Sequence, residues 1–165
     1  EEIGQLCLDL GALEVFVMPP AAASKLIEGR ERSFWVGKET GLNDIIDVVV
    51  PRAEITQYME KAQAISQKHL TLITGCGHAG DGNVHVNLIA TGLPAEEGMP
   101  RLHAAADEVV RRAVALGGTI TGEHGVGCAK RDWLPLCRDE VALDLMRAVK
   151  RALDPKGLLN PGKVL

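Results

Sequence analysis

The chain has little aromatic mass: five of its 165 residues are Trp, Tyr or Phe. Its core must be built from Val, Leu, Ile and Ala. No stretch approaches 18 uninterrupted apolar residues, so no membrane-spanning helix is expected. The four cysteines, Cys7, Cys76, Cys128 and Cys137, include no Cys-x-x-Cys pair and fit neither a zinc knuckle nor a redox couple. Reduced thiols are expected, with Cys76 and Cys128 lying beside the two glycine clusters described below. No glycine-rich turn opens a helix and no Gly-Lys-Ser/Thr loop occurs, so nothing here cradles nucleotide phosphates by itself. Internal repeats, low-complexity tracts and signal or transit peptide patterns are also lacking. A net charge of −4 argues against a nucleic-acid partner.

What is present is ordinary globular composition, 46% hydrophobic and 24% charged. The length fits one domain over 1–165, large enough to bury a core. The first residue is Glu1 rather than Met, inside a helical pattern, Glu1–Leu10. The chain therefore reads as a fragment of a longer polypeptide.

The most informative stretch runs from Gly75 to Leu88. Its first half is a glycine-rich turn. From Asn83 onward polar and apolar residues alternate with the period of a half-buried strand. Val84, Val86 and Leu88 would face a core, and Asn83, His85 and Asn87 would share the other face. Glycines allow His78 to swing toward His85 across the turn. Two neutral imidazoles on one patch can begin a divalent-metal site. By spacing alone they are equally two surface histidines near a hairpin.

A second cluster, Thr121-Gly122-Glu123-His124-Gly125-Val126-Gly127, suits neither helix nor strand. It lets main chain approach a ligand while presenting one carboxylate and one imidazole. His78, His85 and Glu123 would make three protein ligands with an open position, the pattern of a catalytic metal. His124 is left over for proton transfer, a task suited to imidazole near neutral pH.

Three motifs occur in order: His78-Ala-Gly-Asp-Gly-Asn-x-His85, Gly122-Glu-His-Gly-x-Gly127 and Asp154-Pro-x-Gly-x-Leu-Asn-Pro-Gly-Lys163. Together they resemble the C-terminal domain of FAD-linked oxidases, a family that includes D-lactate dehydrogenase, the flavin subunit of glycolate oxidase and D-2-hydroxyglutarate dehydrogenase. The resemblance spans roughly the whole chain. It implies a separate N-terminal FAD-binding domain, with this segment as the substrate cap of an enzyme oxidising a D-2-hydroxy acid to the 2-oxo acid. It implies FAD and a divalent metal, zinc being the expected ion. In relatives without a metal requirement, the histidines would meet the substrate carboxylate directly.

The resemblance also assigns residues. Asn87 matches a position that hydrogen-bonds substrate, and Asn160 would approach the flavin. The family's Trp-x-x-Arg carries a clamp for the substrate carboxylate; here Trp35-Val-Gly-Lys38 puts a lysine there, a point charge in place of a planar fork. A contact made by a polar residue before Asp47 in some relatives is not carried over, because Ile45 and Ile46 stand there. Asp81 and Asn83 have a simpler reading as turn formers. Homodimerisation or oxidase-complex subunits are further implied partners, with a cytoplasmic setting and membrane association only through such subunits. Two other classes compete: a free-standing zinc hydrolase, although no His-Glu-x-x-His pairing is present, and a non-catalytic metal-binding domain.

The element pattern predicts strands at Glu14–Met18, Asp44–Val50, Leu70–Thr74, residues 83–90 and Thr119–Thr121. Leu70–Thr74 and residues 83–90 would pair as an antiparallel hairpin whose long tip holds His78. Helices are expected from Ala21 to about Trp35, Pro51 to about Lys68, 95 to about 116, and about Asp139 to Leu153. The order argues an α+β sandwich, and the resemblance implies a ferredoxin-like antiparallel sheet with helices packed on one face and a C-terminal helical extension.

Overall fold

The computed structural model describes the backbone of residues 2–39, 42–90 and 92–165, and their side chains except those of 30, 31, 33–39 and 42. The chain divides into two compact units, Glu1–Thr40 and Gly41–Leu165.

The first unit holds helices α1 (Glu2–Asp9) and α2 (Pro20–Glu39). The strand expected at Glu14–Met18 does not form: the segment is irregular, and Phe16 and Val17 are exposed. A strand needs a partner to satisfy its backbone, and this unit contains no other strand among the described residues. Helix α2 continues past Trp35, so Lys38 is a helical residue whose side chain lies outside the described ones.

The second unit is built on β1 (Leu42–Val49), α3 (Ile55–His69), β2 (Leu72–His78), β3 (Asn83–Ala90) and α4 (Ala95–Ala115). The strands form an antiparallel sheet in the order β1-β3-β2. An isolated antiparallel bridge, Val49 with Thr119, stands where a fourth strand would begin. The strand expected over Thr119–Thr121 thus shrinks to a single bridge. The architecture is α+β, with the β-α-β-β-α order of ferredoxin-like sheets. Helix α4 packs on β1 and β3, and α3 on β2.

The helix-covered face is the core. Ile46 and Val48 from β1, Val84, Val86 and Leu88 from β3, and Leu102, Val109 and Val110 from α4 are all buried there. Helix α4 ends in a Schellman arrangement: Gly117 N–H bonds Val114 O and Gly118 N–H bonds Ala113 O, both at 2.9 Å, with Gly117 at φ +82°. The turn sends Thr119 along β1, after which the chain crosses to the sheet's other face.

The hairpin is tighter than expected. β2 and β3 pair through to His78 and Asn83, so His78 ends a strand, and the tip is the 3-10 turn Ala79–Asp81 plus Gly82. Gly82 sits at φ +77°, and a Cβ there would lie 2.1 Å from Val50 O, so only glycine closes this turn. Beyond α4, a 3-10 segment, Arg131–Leu136, packs on α4, and α5 (Glu140–Leu153) follows, capped by Asp139, which accepts from Ala142 N–H at 2.8 Å.

Candidate functional site

The open face of the sheet carries the polar row. Register places Asp47 opposite His85 on one side and Cys76 opposite it on the other, so the three share that face. One pair further along, Ile45, Asn87 and Thr74 align in the same way, with Asn87 Nδ2 3.5 Å from Thr74 Oγ1.

Onto this face the 121–124 loop brings Glu123 and His124. His85 Nε2 lies 2.9 Å from Glu123 Oε1, and His78 Nδ1 lies 3.9 Å from the same oxygen. His124 Nε2 is also 3.9 Å from it. The His85 and His124 rings stack with centroids 4.9 Å apart, while His78 meets His85 edge-on at 5.7 Å. His78, Glu123 and His124 are each about half exposed and His85 only 14%, so the site is open on one side. Residues from the β2–β3 hairpin and from a loop beyond α4 thus meet at one carboxylate oxygen.

The donor atoms of His78, His85 and Glu123 all lie within 4.8 Å of one another. Ligand atoms about 2.1 Å from a common zinc ion lie at most about 4.2 Å apart, so small side-chain shifts would bring this set onto a divalent cation. Asp47, His85 and His124 form a second such set. It suits an ion less well, because Asp47 is already engaged by its neighbours.

Asp47 is fully buried. Its Oδ2 accepts from the N–H groups of Gly122, Glu123 and His124 at 2.8, 3.0 and 2.9 Å. The Thr121 hydroxyl lies 2.9 Å from the same oxygen. Oδ1 accepts from Asn83 Nδ2 at 2.7 Å. Burial by itself pushes this carboxyl upward. The His124 N–H, the Asn83 amide, the Gly122 N–H and the Thr121 hydroxyl outweigh it and hold the group well below the usual carboxylate range. Lys130, also buried, donates from Nζ to Asp47 O at 2.7 Å and stands 3.6 Å from Oδ2. Burial lowers the Lys130 pKa, against the opposing pull of Asp47.

Asn83 does more than form a turn. It is buried, its amide donates to Asp47, and its Oδ1 lies 3.4 Å from His78 Nδ1. Asp47 and Lys130 escaped the sequence reading. The available signal was a carboxylate within a run otherwise made of Ile and Val.

The remaining expected residues are placed as follows. Asn87 lies on the site's face, two positions beyond His85. Asn160 sits at φ +47° in the C-terminal segment, in a turn closed by Lys163 N–H to Asn160 O at 3.1 Å. Val164 N–H ties that segment to Gly127 O at 2.7 Å. Cys76 and Cys128 are exposed, and Cys128 Sγ lies 3.5 Å from Lys163 Nζ.

Residues 1–164 match the family described as FAD linked oxidases, C-terminal domain. The chain is 41% identical over 164 residues to an uncharacterized FAD-linked oxidoreductase of Mycobacterium tuberculosis, covering 99% of this chain and 34% of that protein. It is 42% identical over 118 residues to the glycolate oxidase subunit GlcD of Bacillus subtilis, covering 72% of this chain and 25% of that protein. It is 31% identical over 172 residues to a D-lactate dehydrogenase of Anaerostipes hadrus, covering 99% of this chain and 35% of that protein. The chain spans about a third or less of the length of these relatives.

Proposed function

We propose a function from one premise: this chain belongs to the family of C-terminal domains of FAD-linked oxidases. It serves as the substrate-binding cap of an FAD-dependent enzyme that oxidises a D-2-hydroxy acid to the 2-oxo acid. The flavin is held mainly by an N-terminal domain of the same polypeptide. Relatives named D-lactate dehydrogenase and glycolate oxidase subunit support this substrate class. The observation that carries the reading is the meeting of two imidazoles, one carboxylate and a third imidazole around Glu123 Oε1.

When bound, the flavin takes up a hydride and a divalent ion, zinc by expectation, polarises the substrate hydroxyl. His78, His85 and Glu123 would hold that ion. His124 accepts the hydroxyl proton on Nε2, the ring nitrogen that faces Glu123. Asn87, on the same face as His85, hydrogen-bonds the substrate and orients it. Lys38 as carboxylate partner and Asn160 as flavin contact rest on family resemblance.

The test is spectral titration of the flavin-loaded, full-length polypeptide with D-2-hydroxy acids under anaerobic conditions. Bleaching of the flavin band by lactate, glycolate or 2-hydroxyglutarate is expected. His124→Asn should slow that reduction about 10²–10⁴-fold. No bleaching with any of these acids would refute the function.

A further inference from the structure

We infer that Asp47 is the positioning residue of this site: one buried carboxylate moulds the loop that carries Glu123 and His124 and sets which nitrogen of His85 turns outward. The identity of the site rests on the function proposed above.

The two oxygens divide the work. Oδ2 gathers three successive backbone N–H groups, those of Gly122, Glu123 and His124, together with the Thr121 hydroxyl. Three consecutive amides can point at one atom only if the chain curls around it, as in a backbone anion nest. That curl fixes where the Glu123 and His124 side chains leave the main chain. Oδ1 faces the sheet. It takes the Asn83 amide and is 3.7 Å from His85 Nδ1, a buried nitrogen with no hydrogen-bond partner among the described residues. A carboxylate beside Nδ1 favours the proton there, which would free the Nε2 lone pair for the ion that His78 and Glu123 would share. Lys130 offsets the buried charge from behind.

The division gives the experiment its edge. In Asp47→Asn the carboxamide oxygen can still accept from the loop, but its NH₂ then turns donors toward His85 Nδ1 in place of a carboxylate oxygen. In Asp47→Ala both roles are lost. The measurements, on the full-length holoenzyme stripped of metal, are zinc affinity by calorimetry and hydrogen exchange of amides 122–124.

Asp47→Asn should keep near-wild-type amide protection while zinc affinity falls 10–100-fold. Asp47→Ala should lose both. A purely structural role would move the two readouts together in Asp47→Asn. Wild-type zinc uptake with unchanged affinity in Asp47→Asn overturns the assignment for His85. Amides 122–124 as protected in Asp47→Ala as in wild type overturn it for the loop. Wild-type protein that takes up no zinc overturns the ion site itself, and with it the His85 part, while amide exchange still judges the loop. Should Asp47→Ala fail to fold, the split readout of Asp47→Asn decides by itself.

Discussion

At the scale of single residues, the site depends on close approach. A Cβ on Gly122 would lie 2.0 Å from Asn83 Nδ2 and 2.9 Å from Asp47 Oδ1. No side chain fits without moving the loop or the carboxylate it wraps. Gly122→Ala should therefore destabilise the protein by about 1–3 kcal/mol and weaken zinc binding with it. Urea denaturation and calorimetry check this, and wild-type values in both would contradict the packing described. The glycines of the second cluster were legible in the sequence as a loop that lets backbone approach something closely. What it approaches was not legible: Asp47 lies 75 residues before Gly122, and chain order carries no record of that pairing. Asn83 shows the same limit, since Asp-Gly-Asn reads as a turn whether or not the asparagine is buried against a carboxylate.

At the scale of elements, strand period was a reliable guide and boundaries were not. Alternation along residues 83–88 predicted which side chains face the core, because β geometry fixes that alternation. The hairpin tip was misjudged, since glycines that permit a loop are equally tolerated in a strand whose partner supplies the hydrogen bonds. The Glu14–Met18 segment shows the converse: strand-forming residues stay irregular without a partner edge.

The end of α5 offers a pH test. Asp154 is held down to about 2 first by the Lys150 ammonium, then by the N–H groups of Leu159 and Leu158. A carboxyl depressed on folding stabilises the protein above its unfolded value of 3.8. That contribution is lost as pH falls from there through 2. The stability advantage of wild type over Asp154→Asn, read from urea midpoints, should be full at pH 6 and shrink between pH 4 and 2. An advantage independent of pH over this range would show that Asp154 does not act through its charge.

At the scale of the whole molecule, the proposed ion site, assembled only in the folded chain, would couple ion binding to stability. Zinc at 100 times its dissociation constant should add about 2.7 kcal/mol, or about 5–10 °C in Tm for a chain of this size. His78→Ala should abolish the shift. Scanning calorimetry with and without zinc measures it, and an equal shift in the variant would place the ion elsewhere. Among the described residues of the second unit, α5 has an apolar side on which Val141, Leu145, Val149 and Leu153 are exposed. No helix among the described residues is long and apolar enough to cross a membrane.

The sequence by itself determined the chemistry on offer, the glycine clusters that present it and the strand faces, because residue type and period-two alternation are local properties. Only the tertiary structure decided that His78, His85 and His124 converge on one Glu123 oxygen, and that Asp47 accepts hydrogen bonds from the loop that carries Glu123 and His124. Those contacts join β1, the hairpin and the 121–124 loop. They exist only once the sheet has paired and α4 has returned the chain to its edge.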